Sequence, residues 1–382
     1  MLTVFNVYQG DSCLLNPKSR CIFNELPLLI DCGLKKAEVY KKIPYSDISV
    51  MLTHSHRDHI GGFPDVLKSK KVHTIYIPYY LPEIIRISKY LTKHIRMTGF
   101  GDIDWEKISK NRSVTIRPSA QKKLPLLEPY EIQFVCEGMQ LCDHTRILNP
   151  PLSPEDHFPE FYGAEEISIE NALSQLSDRG IELPRDEILN YRPPEVLINS
   201  NGNTEENYAG LARTYVHYFF ISLSGRLRNT TEFAMKYEIA SHLLLTANQA
   251  SVVMQYFDAH SNVWLFTGDA DQYVFDRLIA KGTSLKSDYL KVPHHGSREN
   301  LSRSILKVIN PSVAIVSHGN KGFGKSKDAH PHHEVIDLLK AYPKLQTFYT
   351  NDVIKKGKVH VPGTSGTVGP WAGLKSQIKF AS

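Results

Sequence analysis

Thr53-His54-Ser55-His56-Arg57-Asp58-His59-Ile60-Gly61-Gly62 places three histidines and an aspartate within six residues. The run directly follows Ile48 to Thr53, a continuous apolar stretch typical of a strand buried on both faces. Imidazole and carboxylate are the ligand types that suit zinc, manganese or iron. The i, i+2 spacing of His54 and His56 lets both rings converge on one ion from an extended loop. Asp58 and His59 follow closely enough to face a second ion about 3.5–4 Å away, as two-metal hydrolases require. Gly61 and Gly62 would let the backbone pass where a side chain would clash. The segment therefore reads as a metal-binding loop, and the chain as a metal-dependent hydrolase.

Around that loop the chain alternates strand and helix signals. Leu2 to Tyr8, Ser12 to Asn16 and Leu28 to Asp31 are short β-type runs broken by turn residues. After the loop, Pro64 to Lys71 reads as a helix and Thr74 to Pro78 as a strand. The last third shows strands at 251–257, 263–267, 289–293, 313–317 and 346–350. Helices are expected between them at 271–281, 301–309 and 332–341, and a hairpin around Lys356-Gly357. Between roughly Leu81 and Thr246 the composition changes, with Pro, Lys, Glu and aromatic residues mixed into helix-period stretches such as Glu165 to Leu176 and Leu211 to Leu223. The expected organisation is a catalytic core of 1–94 and 246–382, with 95–245 inserted as a cap or partner-binding region. The mixture implies helices packed on strand layers.

Bulk properties narrow the class. The 382 residues are enough to bury a large core, and 41% hydrophobic with 22% charged residues is ordinary for a globular protein. No stretch approaches the roughly 18 apolar residues of a membrane helix. Met1 to Tyr8 lacks the pattern of a signal peptide, so a cytoplasmic location is expected. A net charge of +5 is compatible with an anionic substrate but does not require one. The five cysteines contain no CxxC pair and read as free thiols, Cys13 and Cys32 as small buried hydrophobes.

With HxHxDH placed after a strand, the sequence resembles the metallo-β-lactamase superfamily. The resemblance implies a four-layer αββα sandwich, two divalent ions (zinc or manganese), and further ligands from later strand ends. Asp269, in Phe266-Thr267-Gly268-Asp269, matches the bridging aspartate of that family. Asp31 matches the early aspartate that supports the metal loop. Leu290-Lys291-Val292-Pro293-His294-His295-Gly296-Ser297 looks like the LKVPHHGS segment of the hydrolase domain in ComEC-type DNA-uptake proteins. Tyr8-Gln9-Gly10-Asp11-Ser12, Asn248-Gln249-Ala250-Ser251, Ala329-His330-Pro331-His332 and Thr350-Asn351-Asp352 resemble further elements of that group, in the same order. Two departures stand out: this chain has no membrane helices, and a long separation lies between His59 and Asp269.

On this reading His54 and His56 hold one ion, Asp58, His59 and His294 the other, and Asp269 bridges. A shared water would attack phosphorus or a carbonyl. Asn248 stands where most of the superfamily has a histidine; an amide oxygen is the poorer zinc ligand, so one ion would be held more weakly or be manganese. His144 and His242 are weaker substitutes, each reading more simply as an ordinary histidine. Asp58 would also orient the water, and His295, Ser297 and His330 would contact the scissile phosphate or protonate the leaving oxygen. Asp11 is expected to support the metal loop. Arg57, Arg298 and the Lys321–Lys327 loop are candidate backbone contacts for nucleic acid. The preferred activity is phosphodiester cleavage of DNA. Hydrolysis of a lactone, thioester or β-lactam stays open, as does a regulated component of a multi-protein defence system that binds a partner through the insertion.

Overall fold

The structure is a computed structural model that describes residues 2–15, 26–92, 115–116, 131–158, 167–194, 205–319, 330–350, 353–355, 358–360 and 377–380. Among these residues sixteen strands are numbered in chain order. They are β1 (Leu2–Phe5), β2 (Cys13–Leu15), β3 (Leu28–Ile30), β4 (Asp47–Met51), β5 (Lys71–Pro78), β6 (Thr115–Ile116), β7 (Glu131–Val135) and β8 (Thr145–Asn149). The second half gives β9 (Val253–Phe257), β10 (Val263–Phe266), β11 (Tyr289–Lys291), β12 (Val313–Val316), β13 (Gln346–Tyr349), β14 (Val353–Lys355), β15 (Lys358–His360) and β16 (Gln377–Phe380).

Among the described residues these strands form two large sheets and a hairpin. The first sheet runs β16-β1-β2-β3-β4-β5-β7-β6, and the second β13-β12-β11-β10-β9-β8. Neighbours from β3 to β7 are parallel, as are those from β10 to β13. Parallel strands are normally covered on both faces, and their residues are accordingly apolar in succession. In β4, Ile48 and Val50 face one apolar cluster and Met51 faces another. In β10, Trp264 and Phe266 join Met51 between the sheets, while Leu265 points the other way.

Helices close both outer faces. Phe63–Ser69 (α1), Leu81–Leu91 (α2), Ile169–Asp178 (α3), Arg185–Leu189 (α4), Glu205–Leu227 (α5) and Glu232–Gln249 (α6) contribute to the cluster behind the first sheet. Gln272–Ala280 (α7), Arg303–Ile309 (α8) and His333–Lys340 (α9) pack behind the second. The order helix, sheet, sheet, helix is the four-layer αββα sandwich implied by the sequence. No helix among the described residues is long and apolar enough to cross a membrane.

The middle of the chain differs from the sequence expectation in one respect. β7 and β8 lie within 95–245 yet pair with β5 and β9, so the sheets recruit part of that stretch. Its helices do not stand apart either. Leu173, Leu176, Tyr215, Phe219 and Leu243 share one buried cluster with Leu29, Val50 and Ile75 of the first sheet. Continuous apolar burial is the reason: an amphipathic helix stabilises the fold by covering a sheet face. Free-thiol chemistry is also less uniform than expected. Cys13, Cys32 and Cys136 are free and buried, whereas Cys142 is disulfide-bonded; Cys21 lies outside the described residues. Residues 351–352, 356–357 and the Lys321–Lys327 loop also lie outside them.

Candidate metal centre

The metal loop leaves β4 where the two sheets meet. Val252 N–H donates to the Thr53 carbonyl at 3.0 Å, tying the loop to the segment that enters β9. His56 immediately precedes, as its N-cap residue, a short helical turn, Arg57–Ile60, that carries Asp58 and His59. Buried on one side of the loop is Asp31, at the end of β3 with φ of 58°. Its carboxylate accepts from Thr53 N–H at 2.8 Å and from the Thr53 hydroxyl at 2.7 Å, and it lies 2.7 Å from His59 Nδ1. A proton on that nitrogen leaves Nε2 of His59 with its lone pair toward Asp269, the arrangement a metal-ligating histidine needs. The two glycines do not face the ligands. A side chain on Gly61 would meet the Arg57 carbonyl, and one on Gly62 the Cys32 carbonyl, so their role is to let two backbone segments touch.

Asp269 arrives from the end of β10. Its N–H donates to the Ser251 hydroxyl at 3.1 Å, and its carbonyl accepts from Asn300 Nδ2 at 2.9 Å. One carboxylate oxygen lies 3.2 Å from His59 Nε2; the other lies 3.5 Å from His54 Nε2 and 3.6 Å from His294 Nε2. Both Asp269 oxygens and the Nε2 atoms of His54 and His59 are buried without a well-formed hydrogen bond. Buried polar atoms are seldom left this way. Nitrogen and carboxylate donors converging without satisfying one another fit a divalent cation. Donor atoms of His54, His59 and Asp269 lie within 4.8 Å of one another, and so do those of Asp58, His59 and His295.

The remaining residues fall into place around this core. His56 is buried, and its ring lies 4.5 Å from that of His54. His294 and His295 follow β11 with φ of 44° and 54°, a left-handed backbone that is costly for a side-chain-bearing residue and typical of functional sites. His294 is held through Nδ1 by Asn300 Oδ1 at 3.1 Å. His295 is buried; Nδ1 lies 3.1 Å from the Ser317 carbonyl and Nε2 lies 3.1 Å from Asp58 Oδ2. Ser297 is buried and accepts from the Glu299 N–H. His330 is partly exposed, its ring 4.8 Å from His294 and 4.7 Å from His332. His332 accepts from the Arg298 N–H at the start of α9. Asn248, near the end of α6, is buried and its amide oxygen has no hydrogen-bond partner.

Neither alternative histidine reaches the centre. The His144 carbonyl accepts from Phe257 N–H, at the end of β9 remote from Ser251. His242 stacks on Phe219 within the helical layer, 4.8 Å between ring centres. Arg57 is exposed beside the loop, whereas Arg298 is engaged by Glu334 and Glu299.

Electrostatics follow from crowding opposite charges in a dry space. Burial opposes ionisation of Asp269, but the imidazoles of His59, His294 and His54 hold its carboxyl well below the usual range. Burial likewise disfavours charge on His59, yet Asp269 and Asp31 outweigh it and raise its pKa. Asp58 is lowered against burial, chiefly by its bond to His295. Burial and the neighbouring His294 pull His330 down to about 3, which makes it a neutral hydrogen-bonding group at neutral pH. Three residues at this centre had no assigned role in the sequence reading. Asn300 buttresses His294 and Asp269, His318 is buried beside His295 at the end of β12, and Lys291 reaches Asp11. Only Lys291, a charged residue inside an apolar strand, carried a readable signal.

Comparison with known proteins agrees with this geometry. Residues 25–121 match the metallo-beta-lactamase superfamily. This span contains the metal loop and the first-sheet strands β3 to β6. The chain is also 28% identical over 95 residues to ComE operon protein 3 of Bacillus subtilis (strain 168). It is 35% identical over 98 residues to Recombination protein 2 of Haemophilus influenzae. Each match covers 25% of this chain, and only 12% and 11% of the respective relative. The metallo-β-lactamase resemblance inferred from HxHxDH, and its ComEC-type direction, are therefore supported.

Proposed function

We propose that this chain is a metal-dependent phosphodiesterase that cleaves DNA. The observation that carries the reading is the buried convergence of His54, His59 and Asp269 with Asp58, His294 and His295, drawn from the ends of strands in both sheets. Similarity to a recombination protein and to a ComE operon protein favours nucleic acid over other substrates of the superfamily. The exposed Arg57 beside Asp58 suits a phosphate better than a neutral carbonyl compound.

His54, His56, Asp58, His59, Asp269 and His294 would hold two divalent ions, zinc or manganese, with the Asn248 amide as a further oxygen donor. Bound ions would supply Lewis acidity toward a phosphoryl oxygen and a water that ionises near neutral pH. The protein's own part is orientation. Asp58 is half-buried and fixed by His295, so one carboxylate edge is left to orient a nucleophilic water. His330 stands on the accessible side of His294, where it can hydrogen-bond a phosphate oxygen. His295 and Ser297 are buried, so they act on substrate through the groups they hold. The helices between 169 and 249, which pack behind the first sheet, are the candidate partner-binding region.

The test is metal analysis of the purified protein together with a substrate panel at fixed salt. DNA, RNA, cyclic nucleotides, a lactone, a thioester and a β-lactam are assayed with and without chelator. Metal-dependent DNA cleavage is expected, reduced about 100-fold or more in Asp58→Ala. Cleavage of a carbonyl substrate alone, or no metal-dependent cleavage of any nucleotide substrate, would refute the proposal.

A further inference from the structure

Lys291 lies at the end of β11, buried, with its ammonium 2.7 Å from Asp11 Oδ2 and 3.2 Å from the Val292 carbonyl. Asp11 is equally buried and belongs to the turn between β1 and β2 in the other sheet. The pair thus spans the two sheets. Each end is attached to the metal centre. On the first-sheet side, Asp11 N–H donates to the Asp58 carbonyl at 3.3 Å, and Gly10 packs so closely on that carbonyl that a side chain there would collide with it. The adjacent Ser12 hydroxyl donates to the Asp31 carbonyl at 3.0 Å. On the second-sheet side, Lys291 is followed within four residues by His294 and His295, and its own carbonyl accepts from the Thr267 hydroxyl at 2.7 Å, two residues before Asp269.

A buried ion pair is a poor way to gain stability, because desolvating both charges offsets their attraction. This one also leaves Asp11 Oδ1 without a hydrogen bond, 3.9 Å from His295 Nδ1. What the pair supplies is a fixed distance between two loops that come from different sheets. We propose that Lys291 and Asp11 form a cross-sheet strut that sets the spacing between the Asp58 loop and the Asp269–His294–His295 segment. They are positioning residues for the metal centre, an inference that rests on reading that centre as metal-binding.

Three variants test it: Lys291→Met, Asp11→Asn, and the double variant. Each is measured by thermal unfolding, by calorimetric titration with Mn²⁺ and Zn²⁺, and by the absorption spectrum of the Co²⁺-loaded protein. Each single variant strands one buried charge or its partner, so thermal midpoints should fall by about 5–10 °C. Metal affinity should fall about 10- to 100-fold, as for other groups that orient ligands. The double variant removes both charges, so its thermal midpoint should return close to that of the wild type. If the pair is a strut, the double variant still binds metal at least about tenfold more weakly and shows an altered Co²⁺ spectrum. Recovery of wild-type affinity and spectrum together with stability would overturn the inference and make the pair merely structural. Wild-type protein that binds none of the three metals would overturn the metal-centre reading itself. Metal binding without DNA cleavage would refute the proposed substrate and leave the strut standing.

Discussion

Asp31 offers the sharpest test of how the loop is held. Its buried carboxylate satisfies Thr53 N–H, the Thr53 hydroxyl and His59 Nδ1, all within 2.8 Å. Asp31→Ala removes the acceptor for all three and leaves them buried. At about 1–3 kcal/mol for each of the three stranded groups, the expected cost is about 3–9 kcal/mol of folding stability. Asp31→Asn is more informative. An amide keeps one oxygen for Thr53 but turns its NH₂ toward a donor, and His59 escapes that conflict by moving its proton from Nδ1 to Nε2. The wrong nitrogen then carries the lone pair. Stability should fall by only about 1–2 kcal/mol, while metal affinity falls about 10- to 100-fold. Urea unfolding and metal titration of the two variants, side by side, supply the contrast. An Asn variant that binds metal as tightly as the wild type would show that Asp31 does not set the His59 tautomer.

Glu83, in the first turn of α2, is buried and accepts from the hydroxyls of Tyr191 at 3.1 Å and Tyr208 at 3.2 Å. Burial, partly offset by these bonds, pushes its pKa up to about 7. Because the folded state holds this proton more tightly than the unfolded chain, the contribution is largest at low pH and is lost as pH rises from about 4.5 to about 7. Over that interval it amounts to about 3 kcal/mol, and Glu83→Gln should flatten the slope between pH 5 and pH 8 in urea titrations; an unchanged slope would refute the assignment. Gly62→Ala presses a methyl group on the Cys32 carbonyl, whose residue also donates to His59 O at 2.7 Å. A loss of about 1–3 kcal/mol is expected in thermal unfolding, with weaker metal binding. A variant indistinguishable from the wild type in both would show that the contact is not constraining.

Much of this was readable from the chain because the decisive features are local. Ile48 to Thr53 announced a doubly buried strand; strand β4 ends at Met51, although Leu52 N–H still donates to the Tyr76 carbonyl of β5 at 2.9 Å, and Thr53 N–H turns to the Asp31 carboxylate. Strands β9 to β13 and the helices between them lie within two or three residues of their expected ends, since each apolar run is short and bounded by turn residues, whereas β8 of the same sheet was not read. β7 was not read, although Glu131-Ile132-Gln133-Phe134-Val135 alternates, because its strand state depends on pairing with β5. The same limit applies at the centre. The HxHxDH loop announces itself by spacing, but Asn300 and Lys291 act through contacts that only the packed sheets create. Glu83 looks like one more charged helix residue until two tyrosines from distant segments close over it.

The donor set is divided between strand ends that the chain produces far apart: His54 to His59 early, Asp269 and His294 late. A fragment ending near residue 260 would contain the whole HxHxDH loop yet lack the carboxylate that its imidazoles surround. Under the proposed function, metal binding and catalysis would therefore both be properties of the finished sandwich, because the loop alone carries only part of the donor set.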